Sequence, residues 1–249
     1  MRRPVYRAVF FDLFGTLIRF DPATLPEIVV DGRRVPSTLA IWGGLVEEAL
    51  PDVGLEAFAR AVFAASLELD RERTLTHIER PSRERFQRAL VRLEAPPDLA
   101  RELAPLFARA HMRAIAAATR FPAEHARVLA EARRRGPTAV ITNFDDTATA
   151  YDILGRHGIL PGVDTVVVSE AVGLRKPHGA LVRLALRDLG VAADEAVMVG
   201  DHPVEDVGAA AAAGVDAIWI DAAGTGVGDG APTPRYVVHS LPEVSALLA

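Results

Sequence analysis

The chain reads as an α/β protein, a parallel sheet with helices on both faces, interrupted early by a helical insertion. Three observations predict this. From residue 121 onward, short apolar runs of strand type alternate with helical patterns, the mark of repeated βα units. A run of the same strand type, Val9-Phe10-Phe11, opens the chain alone. Between the two lie roughly a hundred residues rich in Ala, Leu and Arg, with helical periodicity and one hairpin pattern.

Composition narrows the function. The 249 residues suffice for one or two domains with a full core. A net charge of −5 offers no basic surface to nucleic acid. No uncharged run approaches the ~18 residues of a membrane span, and Asp12 breaks the apolar stretch after Met1-Arg2-Arg3 too early for a signal peptide. The absence of cysteine excludes disulfides, a thiol nucleophile and Cys-ligated metal. The expectation is a soluble, cytoplasmic protein, monomer or homodimer, that acts on a small molecule and binds neither nucleic acid nor membrane. Of its 28 basic side chains only Lys176 is a lysine. A compact ammonium is not interchangeable with a guanidinium in a tight anion site, so the lone lysine draws notice.

The elements follow in order. Val9–Phe11 runs into Asp12, and Gly15-Thr16 turns the chain away. Asp31-Gly32 is the expected turn of a hairpin spanning 27–35. Helices are expected over 37–50, 54–79, 82–93 and 98–119, punctuated by Pro51, Pro81 and Pro96-Pro97, with Ser82 and Asp98 as N-caps. The alternating half then gives helix 123–135, strand 138–141, helix 147–157, strand 165–168, helix 178–189, strand 196–199, helix 204–213 and strand 217–220. Tyr236-Val237-Val238 adds an edge strand. The loop 222–234, with Gly224, Gly226, Gly228 and Gly230, reads as a flexible connection because prolines, not a helix, follow it.

Chemistry-bearing residues close the strands. The second strand ends in Thr142-Asn143, and Lys176-Pro177 follows the third. The fourth ends in Gly200-Asp201, with Asp206 five residues on. With Asp12, these positions fall at one sheet edge, where open α/β sheets bind ligands.

In this set, Asp12-Leu13-Phe14-Gly15-Thr16, Thr142, Lys176-Pro177 and Gly200-Asp201 through Asp206, the chain resembles the haloacid dehalogenase-like (HAD) hydrolase superfamily over essentially its whole length. The resemblance implies a Rossmann-like core from residues 1–17 and 121–249 and a helical cap domain from 18–120. It implies that Asp12 is the nucleophile, that Thr142 hydrogen-bonds a substrate oxygen, and that Lys176 balances charge around both. Catalysis is thus assigned to Asp12, Thr142, Lys176 and Asp201, and substrate contact to Thr16 and Asn143. Mg²⁺ is expected on Asp12, the Phe14 carbonyl, Asp201 and Asp206. Such an enzyme forms a covalent aspartyl intermediate, which splits one displacement into two easier ones.

Two departures pull in opposite directions. Phosphatases of the superfamily carry a second Asp where this chain has Phe14, and its 2-haloacid dehalogenases carry an aromatic there. A halide leaves without a proton. Against this, those dehalogenases need no metal, whereas Asp201 and Asp206 beside Asp12 would repel its charge unless a cation sits among them. The expected function is therefore a Mg²⁺-dependent phosphatase of a small phosphorylated metabolite. The alternatives are a metal-independent 2-haloacid dehalogenase and a non-catalytic phospholigand binder. Flanking His178 and His202 are expected to be solvated or to cap helices, Trp42 to pack in a core, and His77 and Arg80 to sit on a solvated helix face. Arg33 or Arg34 answers to the dehalogenases' cap arginine.

Overall fold

The structure is a computed structural model that describes residues 5–228 and 232–248. Gly230 of the loop 222–234 and the opening Met1-Arg2-Arg3 lie outside the described residues. The chain divides into two compact units, one of residues up to Arg19 and from Arg120 onward, the other Phe20–Thr119.

The chain starts with β1 (Ala8–Phe11), buried at every position. It then enters the helical unit. An antiparallel hairpin of Glu27–Val30 and Arg33–Pro36 comes first. Asp31 and Gly32 both adopt positive φ, 50° and 74°, as a two-residue turn of matching twist requires. Ile28 and Val30 of the hairpin belong to the helical unit's core. Four helices follow: α1 (Gly43–Ala49), α2 (Gly54–Thr76), α3 (Ser82–Arg92) and α4 (Pro97–Ala117). They close on Trp42, Phe58, Phe86 and Phe107, whose ring centroids lie 4.7 to 6.3 Å apart. Trp42 is thus a core residue.

Details of this unit depart from expectation. Residues 38–42 form a 3₁₀ turn, capped by the Ser37 hydroxyl, before α1 begins. Ser82 and Asp98 do not cap. Pro81 and Pro96 hold the N-cap positions without a side-chain bond, and Ser82 and Asp98 fall in the first turn. Proline's fixed φ sets these helix starts in place of a capping hydroxyl or carboxylate.

The second unit begins with α5 (Ala123–Arg135) and continues through β2 (Thr138–Thr142), α6 (Thr147–Arg156), β3 (Thr165–Val168) and a single-turn helix, α7 (Ser169–Val172). Then come α8 (Ala180–Leu189), β4 (Ala196–Gly200), α9 (Glu205–Ala213), β5 (Asp216–Ile220), β6 (Tyr236–Val238) and α10 (Val244–Leu248). Together with β1 the strands form a six-stranded sheet in the order β6-β5-β4-β1-β2-β3. Every pairing in it is parallel.

Strands β1, β2 and β4 are buried throughout, as central parallel strands with both faces covered must be. Phe10, Ala139, Ile141 and Met198 pack on one face with Leu181, Val182 and Ala185 of α8 and Val207 and Ala210 of α9. The opposite face, with Val9 and Phe11, meets α5, against which α10 packs. This is the Rossmann-like arrangement. Sequence periodicity missed α7 and α10 because four and five residues hold too little of a helical repeat.

The loop after β5 is better anchored than its glycines imply. The Asp221 carboxylate accepts the backbone N–H groups of Thr225 and Gly226 at 3.0 and 2.9 Å. Among the described residues no helix is long and apolar enough to cross a membrane.

Candidate active site

The carboxyl ends of β1, β2 and β4 bring Asp12, Thr142 and Asp201 to one edge, because the three strands are parallel neighbours in register. The Asp12 N–H donates to the Val199 carbonyl at 2.9 Å, which extends the ladder one residue beyond β1. Beyond Asp12 the chain turns on itself: Ile18 N–H reaches the Leu13 carbonyl and Gly15 N–H the Ile18 carbonyl, each at 2.9 Å.

Lys176 comes from a different direction, on the segment between α7 and α8. Its ammonium donates to Asp12 Oδ1 at 2.6 Å, Asp206 Oδ1 at 2.6 Å and the Ile141 carbonyl at 2.9 Å. All three of its donors are matched, which is what lets a lysine sit only 1% exposed. The backbone beside it is held by Asn143, whose amide accepts the Lys176 N–H at 2.8 Å and donates to the Lys176 carbonyl at 3.0 Å. Asn143, expected to contact substrate, thus also fixes the segment that carries the lysine.

Asp206 starts α9. Its Oδ1 faces Lys176, and its Oδ2 accepts the His202 N–H at 2.9 Å. Two glycines make room for this arrangement. A Cβ on Gly200 would lie 2.2 Å from Asp206 Oδ2, and one on Gly15, at φ 88°, would lie 2.1 Å from Asp201 Oδ2. Asp201 itself is exposed, and its carbonyl accepts the Trp219 indole N–H at 3.0 Å. Asp12, Asp201 and Asp206 offer ligand atoms that all lie within 4.8 Å of one another.

Other expected positions fall around this centre. Thr142 closes β2, buried. Thr16 is fully buried, and its hydroxyl has no hydrogen-bond partner. The Phe14 ring stacks on Phe144, centroids 5.0 Å apart and planes 20° from parallel, so its backbone carbonyl is its only prospective ligand atom. Sequence reading did not single out Phe144. Its signal lies in its place two residues beyond Thr142, as Phe14 lies two beyond Asp12. The Nδ1 atoms of His178 and His202 accept backbone N–H groups of Ala180 and Glu205, the helix-capping role expected of them. In the helical unit, His77 terminates α2 at φ 53°. The Arg80 carbonyl accepts from the buried Arg73. Arg33 and Arg34 are exposed on the hairpin, Arg34 lying 3.7 Å from Glu27.

The charges at this centre are unbalanced. Three carboxylates face one ammonium. Burial, aided by the charges of Asp206 and Asp201, pushes the Asp12 carboxyl up to about 8 against the pull of Lys176. Partial desolvation of its carboxylate and the charge of Asp206 raise Asp201 too, although the residue as a whole is exposed. Burial disfavours the Lys176 charge, but Asp12 and Asp206 overcome it and hold the ammonium above its ordinary value. An oxygen-only donor set with two surplus negative charges fits a hard divalent cation such as Mg²⁺.

A pH dependence follows. Asp12 loses its proton near 3.8 when unfolded and near 8 in the cation-free fold. Its stabilising contribution is therefore complete below pH 4 and disappears as the pH rises to about 8. Urea unfolding in EDTA should show stability falling by a few kcal/mol across that window relative to Asp12→Asn, and saturating Mg²⁺ should remove most of the difference. A flat difference between the two proteins would contradict this electrostatic picture.

The chain is similar to known proteins in sequence and in fold. Residues 6–214 match a model of the haloacid dehalogenase-like hydrolase family. Over 143 residues the chain is 42% identical to a phosphoserine phosphatase of Thermus thermophilus, a match covering 57% of this chain and 55% of that protein. The chain thus spans about half the length of that relative. A phosphoglycolate phosphatase of Rhodospirillum rubrum is 29% identical over 215 residues, 85% of this chain and 78% of that protein. In three dimensions a 2-haloacid dehalogenase from Pseudomonas syringae pv. Tomato DC3000 superposes with a TM-score of 0.72 at 25% identity, covering 98% of each chain. With the family match reaching from β1 to α9, the chain belongs to the haloacid dehalogenase-like hydrolases.

Proposed function

We propose that this hydrolase is a Mg²⁺-dependent phosphatase of a small phosphorylated metabolite, working through a covalent intermediate on Asp12. The observation that carries the reading is the carboxylate cluster: Asp12, Asp201 and Asp206 within 4.8 Å, against the single charge of Lys176. A nucleophilic carboxylate crowded by two others retains its proton unless a cation joins them, and a phosphoryl group is the substrate such a cation serves. The phosphatase names of the relatives from Thermus thermophilus and Rhodospirillum rubrum support the same choice.

In this reading Asp12, Asp201 and the Phe14 carbonyl hold Mg²⁺, which when bound neutralises charge on the phosphoryl oxygens. Asp206 already accepts bonds at both oxygens and supports the site from behind, fixing Lys176 and the turn at His202. Asp12 attacks phosphorus through the carboxylate oxygen not bonded to Lys176. The ammonium keeps that carboxylate oriented, and Thr142 donates to a phosphoryl oxygen. Thr16, its hydroxyl unpartnered, remains the second residue proposed for substrate contact. We assign the helical unit, Phe20–Thr119, the role of a cap that excludes water during turnover. A chain without cysteine suits a reducing compartment such as the cytoplasm.

A second reading has its own support. The likeness to the Pseudomonas syringae dehalogenase and the aromatic Phe14 favour halide displacement. Chelation separates the two. A panel of phosphate esters and 2-haloacids is assayed with Mg²⁺ and then with EDTA. Phosphate release that collapses by at least about a hundredfold in EDTA is the expected result. Halide release that persists in EDTA would replace this reading with the dehalogenase. A chain that binds phosphorylated ligands and turns over none would make it a binder.

A further inference from the structure

Phe14 and Phe144 stand at equivalent places, each two residues past a chemistry-bearing strand end, on the neighbouring strands β1 and β2. Their stacked rings place hydrocarbon beside these two strand ends. The titratable groups around it are engaged elsewhere. Lys176 has three acceptors, and both oxygens of Asp206 accept bonds. Asp146 caps α6, Glu170 accepts from Thr147, and Asp145 is buried with a partner of its own. The rings of His178 and His202 lie on helix starts. Each of these groups already bonds within the protein.

We propose that the Phe14–Phe144 pair selects leaving groups that depart as stable anions, so that the natural substrate is an acyl phosphate rather than the phosphate ester of an alcohol. This rests on the phosphatase reading. In the first step an Asp12 carboxylate oxygen bonds to phosphorus as the bond between phosphorus and the acyl oxygen breaks. The acyl group leaves as a carboxylate with that electron pair, and no proton moves. In the second step water bonds to the phosphorus of the aspartyl phosphate and the bond to Asp12 breaks. The carboxylate is restored, and both protons of the water leave on dihydrogen phosphate. An alcohol ester at the same site would expel an unprotonated alkoxide and forgo the factor of about 10²–10⁴ that a positioned acid supplies. A halide also leaves without a proton, but it gives the carboxylate cluster nothing to do.

The test compares kcat/KM, with Mg²⁺, for 4-nitrophenyl phosphate against phenyl phosphate and for acetyl phosphate against ethyl phosphate. The better leaving group should win by at least about a hundredfold in each pair. Phe14→Asp, which offers a carboxyl in place of the ring, should narrow both gaps to within about tenfold, whereas Phe144→Ala should not. The wild-type comparison stands even where a variant fails to fold. Gaps within about tenfold in the wild type would overturn the proposal and leave the phosphatase reading intact, and their reopening in His202→Gln would name His202 as the acid. Absence of Mg²⁺-dependent phosphate release from all four compounds would overturn the phosphatase reading and this proposal together.

Discussion

Asp12→Asn is expected to lower turnover by about 10⁴-fold or more while leaving the chain folded. The substitution keeps the shape of the side chain and removes the nucleophile, and loss of an attacking group leaves only the residual effects of binding and charge stabilisation. Its effect on stability has the opposite sign from most buried substitutions. Burial and two neighbouring carboxylates make the Asp12 charge costly in the cation-free fold. A neutral amide relieves that cost and can still accept from Lys176. In EDTA at pH 8 the variant should therefore unfold at a urea concentration no lower than the parent. Mg²⁺, which stabilises the parent by binding its folded state, should stabilise the variant much less. Assay and urea titration on the same preparations check both halves, and an active or grossly destabilised Asp12→Asn would count against the role given to this carboxylate.

Lys176→Met should behave in the reverse way, damaging the fold as well as the activity. Methionine fills similar space but leaves Asp12 Oδ1, Asp206 Oδ1 and the Ile141 carbonyl without their shared donor. Removing one partner of a buried ion pair costs about 3–5 kcal/mol, because the remaining charge stays buried and unpaired. The deficit should shrink as the pH is lowered from 8 to 5, since protonating the stranded carboxylates removes the charge that burial penalises. Lys176→Arg should not restore activity, because a planar guanidinium cannot direct its donors at three acceptors set around one point. Urea unfolding at the two pH values measures the effect, and equal deficits at both would contradict the charge argument.

The site was legible in sequence wherever a residue type marks the end of a buried strand. Asp12 and Asp201 interrupt apolar runs that a parallel sheet must bury, and Thr142 ends another. Lys176 was legible for a different reason, as the one ammonium in a chain otherwise supplied with arginine. The hairpin was legible because Asp31-Gly32 is a pair that tolerates two positive φ angles in succession.

What the sequence did not reveal depends on residues that meet only after folding. Asn143 and Lys176 lie 33 positions apart, and nothing in either segment announces that the amide of one clasps the backbone of the other. The same holds for Asp206, whose second oxygen turns to the His202 N–H, and for the stacking of Phe14 on Phe144, 130 residues later. Ser82 and Asp98 misled because their side chains suit an N-cap, while the prolines before them had already set the backbone.

A covalent bond between phosphorus and Asp12 is the step that defines the proposed phosphatase. The chain is quenched with acid during steady turnover of 4-nitrophenyl phosphate in Mg²⁺, digested, and its peptides are weighed by mass spectrometry. A phosphoryl group on the peptide that carries Asp12, lost on treatment with hydroxylamine and absent when EDTA replaces Mg²⁺, is the predicted result. Sustained phosphate release with that peptide unmodified, or with the phosphoryl group on a different residue, would contradict the account.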